Sequence, residues 1–481
     1  MNLDLLLKPL GITVSDKDQS LVINGLSFDS SKIDKNFIFI AIAGTNTDGH
    51  LFINDAIKNG AAAIIGEKDI QDLAVPYFKV PNARKALAVL ASTFHHNPTQ
   101  NKIMIGITGT NGKTTTSYML KHILESHGIS CALFGSVSTV INGFENTSTH
   151  TTLDPLTFHQ LLSFSHDEVV IMEVSSHGLT QYRVEGIEFD YCIFTNLEPE
   201  HLDYHQNMES YYLAKQSLFD HLKLNGVAIV NSVTEWGERL SSYVSSKNKN
   251  VLKVNGKDSA FFISGEELLT TSNSETISYP LTTCMRGQHN VENASLAFLT
   301  SISLGLEPSS IVEALTNFEG VPGRFQLFSH PSGANFVIDY AHTSNAFYHI
   351  LDTVHSYKPR KIIHVFGFRG NRDVQKRKNM IDISTSNCDV SILTFDDLNG
   401  LTPDQMINEL TQLNLQNKCI VIPDRTLAIQ HAWELAHDQD WVVITGKGIE
   451  DYQQTFSLPT KSDMDTLHFL NHSLSFQKEH L

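Results

Sequence analysis

Apolar and polar positions alternate differently in three stretches of this chain. Residues 1–98 set short apolar runs, FIFIAIAG and AAAIIG, between polar turns, and the stretch closes at Asn97-Pro98. From 102 to 324 strand-like and helix-like patterns mix, with polar, hairpin-like pieces at 241–250 and 270–278. Beyond 330 the alternation is regular. FVIDY, KIIHVFGF, DVSILTF, CIVIPD and WVVITG are apolar runs bounded by turn residues, and AFYHILDTVHSY and TLAIQHAWELA between them have helical spacing. Strands separated by helices predict βαβ units and a mostly parallel sheet. The whole pattern predicts an α/β protein of three domains, 1–98, 99–330 and 331–481.

Within the second stretch, KIMIGIT predicts a buried strand. TTTSYMLKHILESHG predicts an amphipathic helix, with apolar residues at 119, 120, 123 and 124 and a glycine stop at Gly128. Between them lies GITGTNGKTTT. The usual phosphate-loop spacing wants a glycine five residues before Gly112, where this chain has Ile107. The context still argues for a nucleotide. A strand, a glycine turn and a helix start aim free backbone N–H groups and the positive dipole end at one spot. Lys113 adds a mobile cation, and the Thr114 hydroxyl can hold a Mg²⁺ that bridges phosphates.

Three further segments bear on what such a nucleotide would do. EVVIMEVSSHGL sets Glu173 at the end of an apolar strand, where active-site residues of open α/β sheets gather; an edge carboxylate in solvent is the plainer alternative. FTNLEPEHLDYH offers His201, Asp203 and His205, but without the glutamate of a zinc-protease motif, and satisfied loop histidines would read the same. In NMESYYLAKQSLFDHL, positions 208, 211, 215, 218 and 222 share one helical face, all apolar or aromatic except Lys215. That lysine either snorkels from the helix edge or lies inside the stripe. Inside, its pKa would fall, and the neutral amine could act as a nucleophile or take up CO₂ as a carbamate.

Composition narrows the classes. With 481 residues the chain is too long for one core, and 41% hydrophobic and 18% charged residues suit a soluble globular protein. A net charge of −17 argues against nonspecific binding to nucleic acid or anionic membranes. The five cysteines form no CxxC pair, and no apolar run approaches the roughly 18 residues that span a bilayer. Neither does MNLDLLLKPLG resemble a signal segment, so a cytoplasmic protein is expected.

TGTNGKTTT, MEVSSHGLTQYR, FTNLEPEHLDYH, ESYYLAKQSLF, GQHNVEN, GVPGRFQ, VIDYAHT, GNRD and ITGKGIEDYQ follow one another along the chain. As a set they resemble the Mur ligases, most closely the type that adds the third amino acid to UDP-N-acetylmuramoyl-L-alanyl-D-glutamate during peptidoglycan synthesis. SFDSSK…FIFIAIAGTNTDGHLFINDAI is similar to that family's UDP-binding domain.

The resemblance implies a UDP-binding first domain, a central P-loop ATPase domain and a C-terminal Rossmann-like domain that binds the amino acid. It implies ATP and Mg²⁺, a cytoplasmic monomer, and a role in cell-wall biogenesis, cell shape and cell division. In its terms Gly109, Thr110, Asn111, Gly112 and Thr115 complete the phosphate loop around Lys113 and Thr114. Glu173, His201 and a carbamylated Lys215 hold or orient a second Mg²⁺. Asn290, Arg324 and Asp339 grip ATP, with His342 beside them. Ser30 and the loop Thr45, Asn46 and Thr47 match uridine contacts, while Thr151, Thr152, Ser175, Gln181 and Arg183 match contacts to the muramoyl dipeptide. Arg372, Gly446 and Glu450 match contacts to the amino acid.

Four departures stand out: Asp29-Ser30-Ser31 for DSR, His150 for the asparagine before the paired threonines, GKGIED for GKGHED, and Asp396-Asp397-Leu398-Asn399 for DNPR. The arginine of DNPR reads a carboxylate of diaminopimelate. With Asp396, Asp397 and Asn399 in that loop, a cationic or small neutral amino acid is expected instead. The departures also keep open a paralogue that ligates an amino acid to another acidic acceptor, and a catalytically silent UDP-sugar-binding protein.

Overall fold

The regular alternation beyond residue 330 folds into a 6-stranded sheet. Its spatial order is Gln326–Ser329, Asn335–Asp339, Asp440–Thr445, Lys361–Phe368, Val390–Phe395 and Ile420–Val421. Every pairing is parallel except the first, so the sheet begins at Gln326, ahead of the expected boundary at 330. Helices Ser344–Ser356 and Arg425–Leu435 occupy the connections, where the sequence has its helical spacing. The computed structural model describes residues 1–44, 47–148, 150–272, 275–371, 375–414 and 418–478.

The central part is an 11-stranded sheet with a parallel middle and antiparallel edges. Ile103–Thr108 lies between Phe189–Phe194 and Val169–Glu173, parallel to both. Its neighbours lead away to opposite edges, so the crevice past its carboxyl end is where an open α/β sheet binds its ligand. The first part is a 4-stranded parallel sheet of Gly25–Ser27, Phe37–Ile40, Ala61–Gly66 and Tyr77–Lys79. Helix Ala83–Phe94 buries its alanine- and leucine-rich face and packs on Pro155–Leu162 of the central part.

Two local expectations differ from the structure. The stretch 241–250 is the end of helix Glu235–Ser246 and the start of a strand, because Leu240 and Val244 are buried one turn apart. The helix begun at Met208 ends at Gln216 and tightens to a 3-10 turn over Ser217–His221. Leu222 then starts a strand, paired with Phe189. The expected hairpin at 270–278 falls between strands Glu267–Ser272 and Glu275–Pro280. No helix among the described residues is long and apolar enough to cross a membrane.

The C-terminal helix, Asp463–Lys478, is fastened by a buried ion pair. Arg425 Nε and Nη2 each donate to Asp463 at 2.7 Å, and both side chains are fully buried. Arg425 also donates to the Thr445 carbonyl at 2.9 Å, and the Tyr452 hydroxyl donates to Asp463 at 3.0 Å. Removing Asp463 leaves the buried Arg425 guanidinium without its hydrogen-bonded counter-charge. Asp463→Ala is therefore expected to lose about 3–5 kcal/mol of stability in urea unfolding, whereas breaking an exposed pair such as Arg239–Glu209 should change stability far less.

Candidate active site

Past the carboxyl end of Ile103–Thr108 the chain turns through Gly109–Gly112 into helix Lys113–Ser126. Two glycines are required there. A Cβ on Gly109 would lie 1.8 Å from Thr195 Oγ1, and one on Gly112, at φ +84°, 2.3 Å from Asn293 Oδ1. No side chain caps the helix start, so its first N–H groups stay open for an anion. Thr195 Oγ1 donates to the Asn111 carbonyl at 2.6 Å, and Thr110 N to Asn196 O at 3.0 Å, which pins the loop to the neighbouring strand end.

Two lysines converge on this loop. Lys113 Nζ donates to the carbonyls of Gly109 and Thr110, both at 2.9 Å. Lys215 Nζ donates to the same Gly109 carbonyl at 2.7 Å and lies 4.7 Å from the Tyr211 ring centre. Lys215 is 2% exposed, with Tyr211, Leu218 and Leu222 of its stripe buried beside it. It lies inside the stripe and does not snorkel. Burial, and then the Lys113 charge, push its pKa well below the ordinary lysine value. Lys113 is lowered too, by burial, against the opposing pull of Glu173 and Glu200.

Glu173 is fully buried at the end of its strand, not an edge carboxylate in solvent. It accepts from Thr114 Oγ1 at 3.0 Å and from Ser136 Oγ at 2.9 Å. His201 stands in left-handed backbone (φ +56°) at the start of a short helix. Its ring is pushed down to about 4, chiefly by loss of solvent, so it is neutral with a lone pair at pH 7. His205 turns inward instead, its Nε2 2.9 Å from Ser176 Oγ. Among the described residues no three His, Cys, Asp or Glu side chains cluster as a metal site. One hydroxyl, one carboxylate and one imidazole beside a phosphate loop nevertheless suit Mg²⁺, which takes few protein ligands and completes its shell with phosphate and water.

The phosphate loop and His201 open on a cavity of about 1200 Å³ between the central and C-terminal parts, with Glu173 and Lys215 buried behind the loop. Thr110 to Thr115 and His201 line it, with Thr151, Thr152, Ser175, Gln181 and Arg183 on another wall. Arg183 stacks two donors on Gln181 Oε1, at 3.2 and 2.8 Å, and a third on the Thr152 carbonyl. Asn290, Arg324, Asp339, His342 and Glu450 complete the lining. Asp339 already accepts from the backbone of Phe325 and Ala341, each at 2.7 Å, and Arg324 lies 4.4 Å over the Tyr340 ring. The side chain of Asp339 thus shapes the turns that present Arg324 and His342.

Several residues that close the cavity were not singled out from sequence. His342 Nε2 lies 3.0 Å from Glu200 Oε1, joining the C-terminal part to the loop before His201. Glu198 does the same twice over, accepting from Asn111 of the phosphate loop at 2.8 Å and from Asn345 of the C-terminal part. The segment FTNLEPEHLDYH held this signal in its two glutamates, but their partners lie far along the chain.

Other expected residues stand elsewhere. Ser30 and Thr47 belong to the first sheet's loops and do not line the cavity; Thr45, Asn46 and Arg372 lie outside the described residues. Gly446 is buried behind the wall, where a Cβ would approach Asp396 Oδ2 to 3.1 Å. Asn399 is exposed at a turn with φ +45°. Asp396 and Asp397 correct the expectation most. Each is 2% exposed and neither reaches the cavity. Lys447 Nζ donates to Asp397 at 2.6 Å and stands 3.4 Å from Asp396, and Arg425, Arg369 and Lys447 hold the Asp396 carboxyl low against burial. Their charge is matched within the protein, so it offers nothing to a distal ammonium. The preference for a cationic amino acid loses its ground.

The chain is similar to known proteins along most of its length. Three family descriptions match in succession: "Mur ligase family, catalytic domain" over 22–95, "Mur ligase middle domain" over 107–301 and "Mur ligase, glutamate ligase domain" over 323–448. A UDP-N-acetylmuramoyl-L-alanyl-D-glutamate–2,6-diaminopimelate ligase of Clostridium tetani is 35% identical over 94% of this chain and 95% of its own length. One from Syntrophomonas wolfei is 34% identical, over 94% and 95%. A solved structure titled with the same ligase name superposes at a TM-score of 0.69 with 27% identity, covering 99% of this chain and all of that one.

Proposed function

The chain belongs to the Mur ligase family, and on that ground we propose that it is an ATP-dependent ligase joining an amino acid to UDP-N-acetylmuramoyl-L-alanyl-D-glutamate. The amino acid we infer is 2,6-diaminopimelate, named for its relatives and no longer opposed by a free acidic loop. A cytoplasmic monomer, with the three parts binding UDP, ATP and amino acid in turn, completes the reading. One observation carries it: an uncapped helix start, Lys113 and Thr114 line a cavity that Arg324 and His342 line from the C-terminal part, with Glu173 and Lys215 buried behind them on Thr114 and the Gly109 carbonyl.

The D-glutamyl carboxylate attacks the γ-phosphorus of ATP, forming an acyl phosphate and releasing ADP. The incoming amine then attacks the acyl carbon, phosphate leaves, and the amine gives up a proton. Both reactants of the first step are anions, so the protein's part is positioning and cationic charge. Lys113 and the helix N–H groups hold the transferring phosphoryl, with Arg324 facing it across the cavity. Arg183, already aimed by Gln181, is placed for a carboxylate or phosphate of the dipeptide. Thr114, Glu173, His201 and carbamylated Lys215 would hold Mg²⁺, which supplies neutralising charge on the phosphate oxygens. The contacts His342–Glu200 and Asn345–Glu198 form only when the parts are together, and that closure keeps water from the acyl phosphate.

The test is phosphate release from ATP with the UDP-muramoyl dipeptide and a panel of amino acids. Release that requires both the dipeptide and diaminopimelate is expected. Release with some other acidic acceptor and none with the dipeptide would mark a paralogue. No ATP consumption under any pairing would mark a silent binding protein.

A further inference from the structure

Glu198 plays no part in the chemical steps above, yet its side chain holds both sides of the cavity that it lines. Its backbone is fixed to the phosphate loop. Glu198 N donates to Thr110 Oγ1 at 3.0 Å, and that hydroxyl donates to the Glu198 carbonyl at 3.3 Å. Pro199 follows and keeps Glu198 in extended backbone, so its side chain leaves the segment in a set direction. Oε2 accepts from Asn111 Nδ2 of the phosphate loop at 2.8 Å. Oε1 accepts from Asn345 Nδ2, in the first turn of helix Ser344–Ser356. Asn111 is held to the same segment a second time, its N–H donating to Asn196 Oδ1 at 2.9 Å. A carboxylate beside a phosphate loop repels the triphosphate, and a neutral acceptor could hold either asparagine alone. What a carboxylate adds is two acceptor atoms, here one for each side of the cavity. The positive end of helix Ser344–Ser356 favours the anion as well.

We propose that Glu198 is a positioning residue for ligation, tying the phosphate loop to the start of helix Ser344–Ser356 so that the wall bearing Arg324 and His342 seats on the loop in one register. The proposal rests on the ligase reading and adds the residue that links closure to the loop itself. With the tie made, the acyl phosphate forms in a shut site and meets only the amine. Without it, His342 and Glu200 still draw the wall to the segment, but the seat is loose and water enters. Water then replaces the amine as attacker. The acyl phosphate returns to the dipeptide carboxylate and free phosphate, so ATP is consumed and no amide bond forms.

The experiment uses the full chain with ATP, the UDP-muramoyl dipeptide and diaminopimelate, and measures ADP and amide product separately. Wild type is expected to form one amide bond per ADP. Glu198→Ala should lower kcat for the amide product by about 10- to 100-fold, the loss that charge-assisted hydrogen bonds allow. It should also raise ADP formed per amide by about twofold or more, with KM for diaminopimelate changing less than kcat. Asn345→Asp sets carboxylate against carboxylate and should do the same. Adding Glu198→Gln to Asn345→Asp puts an amide donor opposite that carboxylate and leaves an oxygen for Asn111. The double variant should therefore recover most of both losses. Wild-type kcat and stoichiometry in Glu198→Ala overturn the proposal. So does a fall in kcat with neither excess ADP nor recovery in the double variant, which marks a merely structural role. Failure of wild type to ligate defeats the ligase reading instead. Small-angle X-ray scattering with a non-hydrolysable ATP analogue then decides the tie on its own. Asn345→Asp more expanded than wild type, with the double variant compact again, supports it; equal dimensions in all three overturn it.

Discussion

Replacing Lys113 with alanine is expected to lower the turnover of ligation by about 10²- to 10³-fold. The size follows from where the charge sits. Nζ is held against two loop carbonyls at 2.9 Å, at the open start of helix Lys113–Ser126, with nothing to reorganise when a phosphoryl group arrives. Burial lowers its pKa, yet Glu173 and Glu200 pull the other way and favour the cation. In a site of low dielectric a preorganised cation stabilises the phosphoryl-transfer transition state, with charge spread over its equatorial oxygens, far more than it does the bound reactants. The loss should therefore fall on kcat, with KM for the amino acid little changed. Phosphate-release kinetics measure it, and a far-UV spectrum matching wild type shows that the fold is kept. A variant that turns over normally would remove this loop from the chemistry. EDTA should stop wild-type turnover, and Mg²⁺ should restore it.

Much of this site was readable in the sequence because its parts are local. A strand, a glycine turn and a helix with GKT in the first turn occupy consecutive residues, so periodicity and spacing were enough to place Lys113 and Thr114. Lys215 was readable as well, since its stripe of neighbours at helical spacing is local. What the pattern left open, snorkelling or burial, depended on what covers the helix, and the cover is the Gly109 carbonyl 106 residues away. The DDLN loop misled for the same reason. Two aspartates after a strand look solvated or substrate-facing until Lys447, 50 residues on, takes their charge. Arg369 was passed over because nothing near it in sequence marks an arginine after an apolar strand as part of the cavity wall. Its partner Glu450 lies 81 residues on. The 3-10 turn at Ser217–His221 escaped because its buried residues continue the helical stripe, and only the strand that follows forces the tightening.

Lys215→Ala is expected to abolish ligation, at least as severely as Lys113→Ala, because the residue is proposed to act as an anion made from a cation. The folded environment rejects an ammonium at this point. Nζ is buried, has one carbonyl and an aromatic face for company, and shares that carbonyl with the Lys113 ammonium. Burial and the like charge both push its pKa down and so favour the neutral amine, which is the form that adds CO₂. Addition forms an N–C bond, releases one proton and leaves a carbamate. That anion beside Lys113 removes the repulsion between the two lysines and supplies an oxygen to the side on which Thr114 and Glu173 would hold Mg²⁺. The alanine variant keeps the fold but lacks the anion, so acetate or formate at high concentration should restore part of the activity by occupying the vacated volume. Wild-type enzyme labelled with ¹³C-bicarbonate should show a carbamate resonance that the alanine variant lacks, and CO₂-free buffer should lower its activity reversibly. A buried lysine that merely braces the Gly109 carbonyl would give neither the rescue nor the resonance, and wild-type turnover by the untreated variant would end the proposal outright.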